Sequence, residues 1–202
     1  MKHVDVKIDF FNNLAADWNE MSESLPPSHL SAIISLSGIK RSATVLDAGC
    51  GTGILLPALL EAVGDSGRIK AIDPAQKMLD ILQDKYRDHR IEVRCETMEN
   101  SSFDDSSLDA IICFSCFPHL SDKPAALANV ERMLKTGRRL VIAHASSRKE
   151  VNAFHAGCSG PVRNDVLPDE REMTVMMQDA GLRVVHYRDE PGRYELVAEK
   201  LR

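Results

Sequence analysis

Three glycines stand within five residues in Gly49-Cys50-Gly51-Thr52-Gly53, and an aspartate, Asp73, follows 20 residues after the last of them. Glycine lacks the Cβ that would hold a ligand away from the backbone. A glycine loop that opens a helix also presents unpaired N–H groups to a polar or anionic ligand. An acidic side chain about 20 residues further on, at the end of the next strand, is placed to accept hydrogen bonds from two ribose hydroxyls. Together these residues describe a site for a nucleoside-bearing cofactor. Three histidines, His119, His144 and His155, are candidates for a base on a protic group of a second substrate. Taken singly, each could equally be a hydrogen-bonded or solvated side chain.

These residues need a frame that brings them to one edge. Thr44–Asp47 is a short β-branched run entering the glycine loop, and Ile54–Val63 reads as the helix after it. Strands are predicted over Arg68–Ile72, Ile91–Arg94, Leu108–Phe114 and Arg139–Ala143, with helices over Ala75–Tyr86 and Pro124–Leu134 and a turn at Thr136-Gly137. A helix over Asp169–Ala180 precedes two strands, Leu182–Tyr187 and Tyr194–Glu199, joined across Pro191-Gly192. The alternation predicts an α/β fold with a doubly wound, mostly parallel seven-stranded sheet. The final gap is too short for a helical crossover, so the last two strands pair as a hairpin and the seventh is antiparallel. Ligands of such sheets sit beyond the carboxyl ends of the strands, where the strand order switches. Asp73 ends the second strand there, His119 follows the fourth, and His144 ends the fifth. If 147–156 is helical, Arg148, Asn152 and His155 share a face.

The chain has 202 residues, a formal net charge of -5 and 5% aromatic residues. This size suits one domain, expected as residues 1–42 capping a core of 43–202. Acidity argues against a nucleic-acid binder. The few aromatics argue against a stacking-dominated surface, and no apolar run approaches the roughly 20 residues of a membrane span. The N-terminus is charged and lacks a signal-peptide core, so a cytoplasmic location is the default. Five cysteines, an odd number, are expected to be reduced thiols. Before the first strand, Phe10, Phe11, Leu14 and Trp18 recur at helical spacing. Pro26-Pro27 ends that element, and Ser28–Ser37 reads as a second helix.

A nicotinamide dinucleotide is the first rival for the glycine loop. Its fingerprint requires a third glycine where Ile54 stands, and its first strand usually opens the domain. Val45-Leu46-Asp47-Ala48-Gly49-Cys50-Gly51-Thr52-Gly53 instead resembles motif I of the class I S-adenosylmethionine-dependent methyltransferases. The resemblance runs from about Phe10 to the end of the chain. It implies that Asp47, Gly49, Cys50, Gly51 and Gly53 line the methionine part of S-adenosyl-L-methionine, with S-adenosyl-L-homocysteine as product. Asp73 would hold the ribose, and Pro74 and Met78 would pack near the adenine. Thr97 stands where the family commonly has an aspartate for the adenine amine, a departure that leaves Thr97, Glu96 and Glu99 as alternatives, or a register off by one. Met98 would offer its backbone N–H to the ring. Cys113, at the end of the fourth strand, would border the methionine and the acceptor. An aromatic helix before the first strand often closes over the cofactor in this family, and Phe10, Phe11 and Trp18 are similar to it.

A sulfonium activates its own leaving group, so the protein has chiefly to align acceptor and methyl carbon in a dry pocket. A base is needed only for a protonated acceptor; His119, His144 and His155 are the candidates for it, and Asn152 is a further candidate catalytic residue beside His155. The loop 157–161 is flexible by composition and expected to border the pocket. The acceptor is expected to be a small molecule, because no basic stripe appears. The Asn-Pro-Pro-Tyr-type tetrapeptide of nucleic-acid amino methylation is also replaced by Cys113-Phe114-Ser115-Cys116. Rival readings are a non-catalytic S-adenosylmethionine-binding protein, a metal site, and capture of a soft metalloid or thiol acceptor by converging cysteines. Sequence leaves the oligomeric state open.

Overall fold

A computed structural model describes residues 2–18 and 25–201. Residues 19–24 of the expected cap lie outside the described residues. Among the described residues the helices α1 (Lys2–Leu14) and α2 (Pro27–Leu36) precede β1 (Thr44–Ala48). The chain then alternates through α3 (Leu56–Val63), β2 (Arg68–Ile72), α4 (Gln76–Lys85), β3 (Ile91–Arg94), β4 (Leu108–Phe114), α5 (Lys123–Met133) and β5 (Leu134–His144). It closes with α6 (Arg148–Gly157), α7 (Glu170–Asp179), β6 (Leu182–Glu190) and β7 (Arg193–Lys200).

The seven strands form one sheet in the order β3-β2-β1-β4-β5-β7-β6. The pairings β1–β2, β1–β4, β2–β3 and β4–β5 are parallel, while β7 is antiparallel to both β5 and β6. After β1 the chain moves outward to β3 and returns to β4 on the other side of β1. The strand order therefore reverses between β1 and β4, and the crevice at their carboxyl ends is where such sheets bind ligands. Every residue of β4 is buried, as a central strand covered on both faces requires. Leu46, Ile111 and Cys113 face one core and Val45, Ala110 and Ile112 the other, following the two-residue alternation of a strand.

In place of the expected turn at Thr136-Gly137, β5 runs through these residues as a bulged strand that begins at Leu134 rather than at Arg139. Register moves from Leu108↔Leu134 to Ala110↔Arg139, two residues against five, with Gly137 at φ 72. The bulge carries Lys135 and Arg138 to 2.9 and 3.5 Å from Asp109. Helix α3 starts at Leu56 rather than at Ile54, because residues 51–55 are turn; Pro57 then occupies its first turn, where no N–H is needed.

Helix α7 begins with a reciprocal cap: Asp169 accepts from Glu172 N at 2.8 Å, and Glu172 accepts from Asp169 N at 2.9 Å. Asp169→Ala is expected to lower stability by about 1 kcal/mol without changing ligand affinity, a pairing checked by thermal melts beside calorimetric titration.

Candidate active site

A cavity of about 580 Å³ opens at the carboxyl ends of β1, β2, β4 and β5, within the roughly 300–1,000 Å³ usual for small-molecule sites. Its walls come from the glycine loop, the ends of β2 and β3, the turn after β4, and α6; α1 and Trp18 roof it.

The glycine loop is folded by its backbone. Gly49 and Cys50 donate to Ile72 O at 2.8 and 3.0 Å, which holds the loop against the end of β2. Gly49, at φ 69, packs against Cys116; a Cβ there would stand 2.5 Å from the Cys116 Cβ. Gly51, at φ 52, faces the roof, with Trp18 Nε1 3.4 Å from where a Cβ would be. Gly53 does not reach the cavity. Leu56, Tyr86 and Leu82 crowd its Cβ position, so its smallness serves packing.

Asp73 is buried at the end of β2. Its Oδ2 accepts from Gly51 N at 3.0 Å and its Oδ1 from Ala75 N at 2.8 Å. Burial raises its pKa, and the two backbone N–H groups pull the other way. Each oxygen keeps a further lone pair for a ligand hydroxyl. Asp47 lies behind the loop, outside the cavity wall. Burial, and then the charge of Asp73, push its pKa from 3.8 to about 7. A raised folded pKa means that Asp47 favours the fold fully below about pH 4 and that this contribution is lost as pH rises to about 7. Asp47→Asn is therefore expected to gain melting temperature relative to wild type between pH 5 and pH 8; a difference independent of pH would contradict this.

Pro74, Met78, Thr97 and Met98 line the cavity, and Cys113 does not; its Sγ lies 3.6 Å from Met98 Sδ in the core. The three alternatives for the adenine amine all reach the wall, each already engaged. Thr97 Oγ1 accepts from Asn100 Nδ2 at 3.3 Å, Glu96 accepts from Ser102 N at 3.3 Å, and Glu99 accepts from Ser121 N at 2.9 Å.

The three histidines also line the cavity, His119 after β4, His144 at the end of β5 and His155 on α6. His119 Nδ1 lies 2.7 Å from Asp165 Oδ2, and His155 Nδ1 lies 2.7 Å from the Asp165 carbonyl oxygen. A carbonyl can only accept, so His155 carries its proton on Nδ1. Burial would raise the Asp165 pKa, but hydrogen bonds from His119 and Lys7 outweigh it and hold the carboxyl below its ordinary range. The carboxylate thus accepts Nδ1–H of His119. In both rings Nε2 is then the basic nitrogen. The two rings stand 4.9 Å apart. His144 is buried beside them at the end of β5, and burial, followed by the other two histidines, lowers its pKa to about 3. Among the described residues its Nε2 has no hydrogen-bond partner.

Asn152 does not join this group. Its amide spans Leu167, accepting from Leu167 N at 2.8 Å and donating to Leu167 O at 3.0 Å. The glycine-containing stretch 157–161 does not border the cavity either, and Cys158 stands apart from Cys113 and Cys116. All five cysteines are free thiols. Among the described residues no group of three His, Cys, Asp or Glu is placed to hold a metal ion.

Two residues of this group escape the sequence reading: Asp165, in an irregular segment, and Lys7, on the face of α1 that also carries Phe11 to the cavity. Lys7 Nζ reaches Asp165 Oδ1 at 2.5 Å and the His119 carbonyl at 3.4 Å.

The open glycine cradle, a buried carboxylate with spare lone pairs, and an enclosed space beyond it fit a nucleoside cofactor. Comparison with known proteins agrees. Residues 45–137 match the methyltransferase-domain family. The ubiquinone/menaquinone biosynthesis C-methyltransferase UbiE of Enterobacter sp. strain 638 is 31% identical over 180 residues, covering 76% of this chain and 72% of that protein. A SAM-dependent methyltransferase from Aquifex aeolicus shares the fold with a TM-score of 0.72 and 24% identity, over 93% of this chain and 98% of the other. The geranyl diphosphate C-methyltransferase of Streptomyces coelicolor A3(2), solved with Mg2+, geranyl diphosphate and S-adenosyl-L-homocysteine, gives 0.71 at 15% identity, over 86% and 79%. The chain belongs to the class I S-adenosylmethionine-dependent methyltransferases, and S-adenosyl-L-methionine is its methyl donor.

Proposed function

We propose that this methyltransferase acts on a small-molecule acceptor whose reacting atom is activated by loss of a proton, with His119 as the base. The observation that carries this reading is the union, in one cavity, of the Asp73–glycine-loop end with a His119 ring whose Nδ1 is fixed by Asp165. An oriented carboxylate–imidazole pair leaves Nε2 as the proton acceptor. Asp73, Gly49, Cys50 and Gly51, with Pro74, Met78, Thr97 and Met98, form the cofactor end. Asp47 supports the loop from behind.

The bound cofactor supplies an electrophilic methyl group on a sulfonium. The protein's own part is to hold the acceptor against that group, take its proton and keep water out. Phe11, Phe154, Val151 and Leu120 give the acceptor end an apolar wall. His155 sits beside His119 as a second ring of the same tautomer. The very weak base His144 serves as a neutral hydrogen-bonding group for the acceptor. An apolar wall around a base suits a phenol or another conjugated hydroxyl compound, and a quinone-pathway C-methyltransferase among the relatives supports the same class. Residues 1–42 are read as the cap over the core of 43–202. Among the described residues no helix is long and apolar enough to cross a membrane.

The test has two arms. Calorimetric titration of S-adenosylhomocysteine should show micromolar binding, at least tenfold weaker in Asp73→Ala, about 1.4 kcal/mol. Release of S-adenosylhomocysteine should then be followed over a panel of phenols and quinols against carboxylic acids, amines and thiols. Turnover confined to the last three groups would overturn the acceptor class.

A further inference from the structure

Asp165 joins three elements that are far apart in sequence. Its Oδ2 accepts from His119, in the turn after β4, at 2.7 Å. Its Oδ1 accepts from Lys7, on α1, at 2.5 Å. Its backbone carbonyl accepts from His155, on α6, at 2.7 Å. The residue itself is held firmly. It is 7% exposed and lies between Val162 and Leu167, both buried. Its N–H donates to Val162 O at 3.0 Å. Asn152 clamps Leu167 through both ends of its amide, so the segment carrying Asp165 is fastened to α6 two residues away. This explains why Asn152 shares a helix with His155 yet faces away from the cavity: it fixes the residue that fixes the histidines.

The roof is tied to the same point. Helix α1 is pinned at its far side, where Asn12 Oδ1 accepts from Lys77 N at 2.9 Å. Over the histidines it is held by Lys7 and by the Phe11 ring, edge-on to His119 at 5.0 Å. Lifting α1 from this seat would part Lys7 from Asp165, leaving a buried carboxylate with one partner fewer. That loss favours reseating of the helix.

We propose that Asp165 is the positioning residue of this site, setting the Nδ1–H tautomer of His119 and His155 and, through Lys7, making the seating of α1 part of the same hydrogen-bonded assembly. The proposal rests on reading the cavity as the methyl-transfer site. Its consequence is a shared seat: the carboxylate that orients the His119 ring also holds the roof helix through Lys7. A carboxylate that merely stapled the 158–168 segment would not set a ring tautomer, and that difference is measurable without an acceptor.

The experiment uses the full chain with 15N-labelled histidine, and His119→Gln and His155→Gln assign the two rings. Ligand-free wild type should show both rings protonated on Nδ1. In Asp165→Ala, His119 should shift to a mixture dominated by the Nε2–H form, the one free imidazole prefers in water. Lys7→Met should leave the tautomer in place but raise amide hydrogen exchange along α1 at least tenfold. Asp165→Asn should resemble Lys7→Met, because its side-chain oxygen still accepts from the ring.

Trp18, the chain's single tryptophan, lies under the same roof. Its fluorescence should change in the same three variants. A wild-type His119 protonated on Nε2 overturns the proposal, even if Asp165→Ala does not fold. So does α1 exchange unchanged in both Lys7→Met and Asp165→Asn. S-adenosylhomocysteine titrated into the same samples separates the two readings. Failure to bind with the tautomers as expected removes the site reading. Binding with the tautomers indifferent to Asp165 removes the positioning role alone.

Discussion

His119→Gln is expected to lower kcat by roughly 10²–10⁴, the usual contribution of a positioned general base, while S-adenosylhomocysteine affinity stays within about threefold of wild type. The separation follows from the layout. His119 lines the same cavity as Asp73 but makes no hydrogen bond to the glycine loop or to Asp73, being engaged with Asp165, so its loss is expected to remove proton transfer and leave cofactor binding largely in place. Glutamine keeps a polar side chain of similar reach but has no basic nitrogen. His144→Gln should affect kcat far less, because a ring held neutral down to about pH 3 is too weak a base to act at neutral pH. Parallel kcat measurements on both variants, beside titrations, check the pair. Equal losses would mean that the histidines pack the site rather than work in it.

Gly49→Ala is expected to cost about 2–5 kcal/mol of stability. A left-handed backbone costs an alanine about 1–2 kcal/mol, and forcing a methyl into packed space adds about 1–3 more. At φ 69, the new Cβ would stand 2.5 Å from the Cys116 Cβ and 2.9 Å from its sulfur. That sulfur cannot swing away cheaply, since Cys116 Sγ donates to Ala48 O at 2.9 Å. Gly51→Ala provides the contrast. Its Cβ would approach Trp18 Nε1 at 3.4 Å, a tight but bearable distance on the ligand side of the loop. That variant should fold and lose at least tenfold in S-adenosylhomocysteine affinity. Denaturant unfolding and calorimetry on the two variants distinguish a glycine needed by the fold from one needed by the ligand.

The Asp73–glycine-loop wall of the cavity was legible because its signals are local. The glycines, Asp73 and the strand before each lie within a single βαβ unit, where period and turn residues determine placement. The same logic found the antiparallel closing hairpin. It also overreached at two places. Gly53 completes the motif, yet its backbone serves the packing of α3 against Leu82 and Tyr86. Cys113 is the penultimate residue of β4, yet its side chain points into the core, and its neighbour Phe114 is the strand residue at the cavity wall, as alternation requires.

The acceptor end was only half legible. Helical spacing put Asn152 on one face with His155, but spacing alone does not say which side of that face meets the cavity. Asp165 and Lys7 were invisible because their partners lie 46 and 112 or more residues away. Nothing in an irregular segment or a charged helix advertises such a partner. The one available hint was that Asp165 falls between the apolar residues Val162 and Leu167, a mark of a loop held against the body of the protein.

The central claim is that one cavity holds the cofactor at Asp73 and presents its reactive end to His119. The most direct measurement is an experimental structure with S-adenosylhomocysteine. The account predicts both ribose hydroxyls on Asp73, the backbone of Gly49 and Gly51 along the amino-acid part, and the sulfur facing the His119–His155 end. A ligand with its ribose away from Asp73, or its sulfur turned from the histidines, would contradict it.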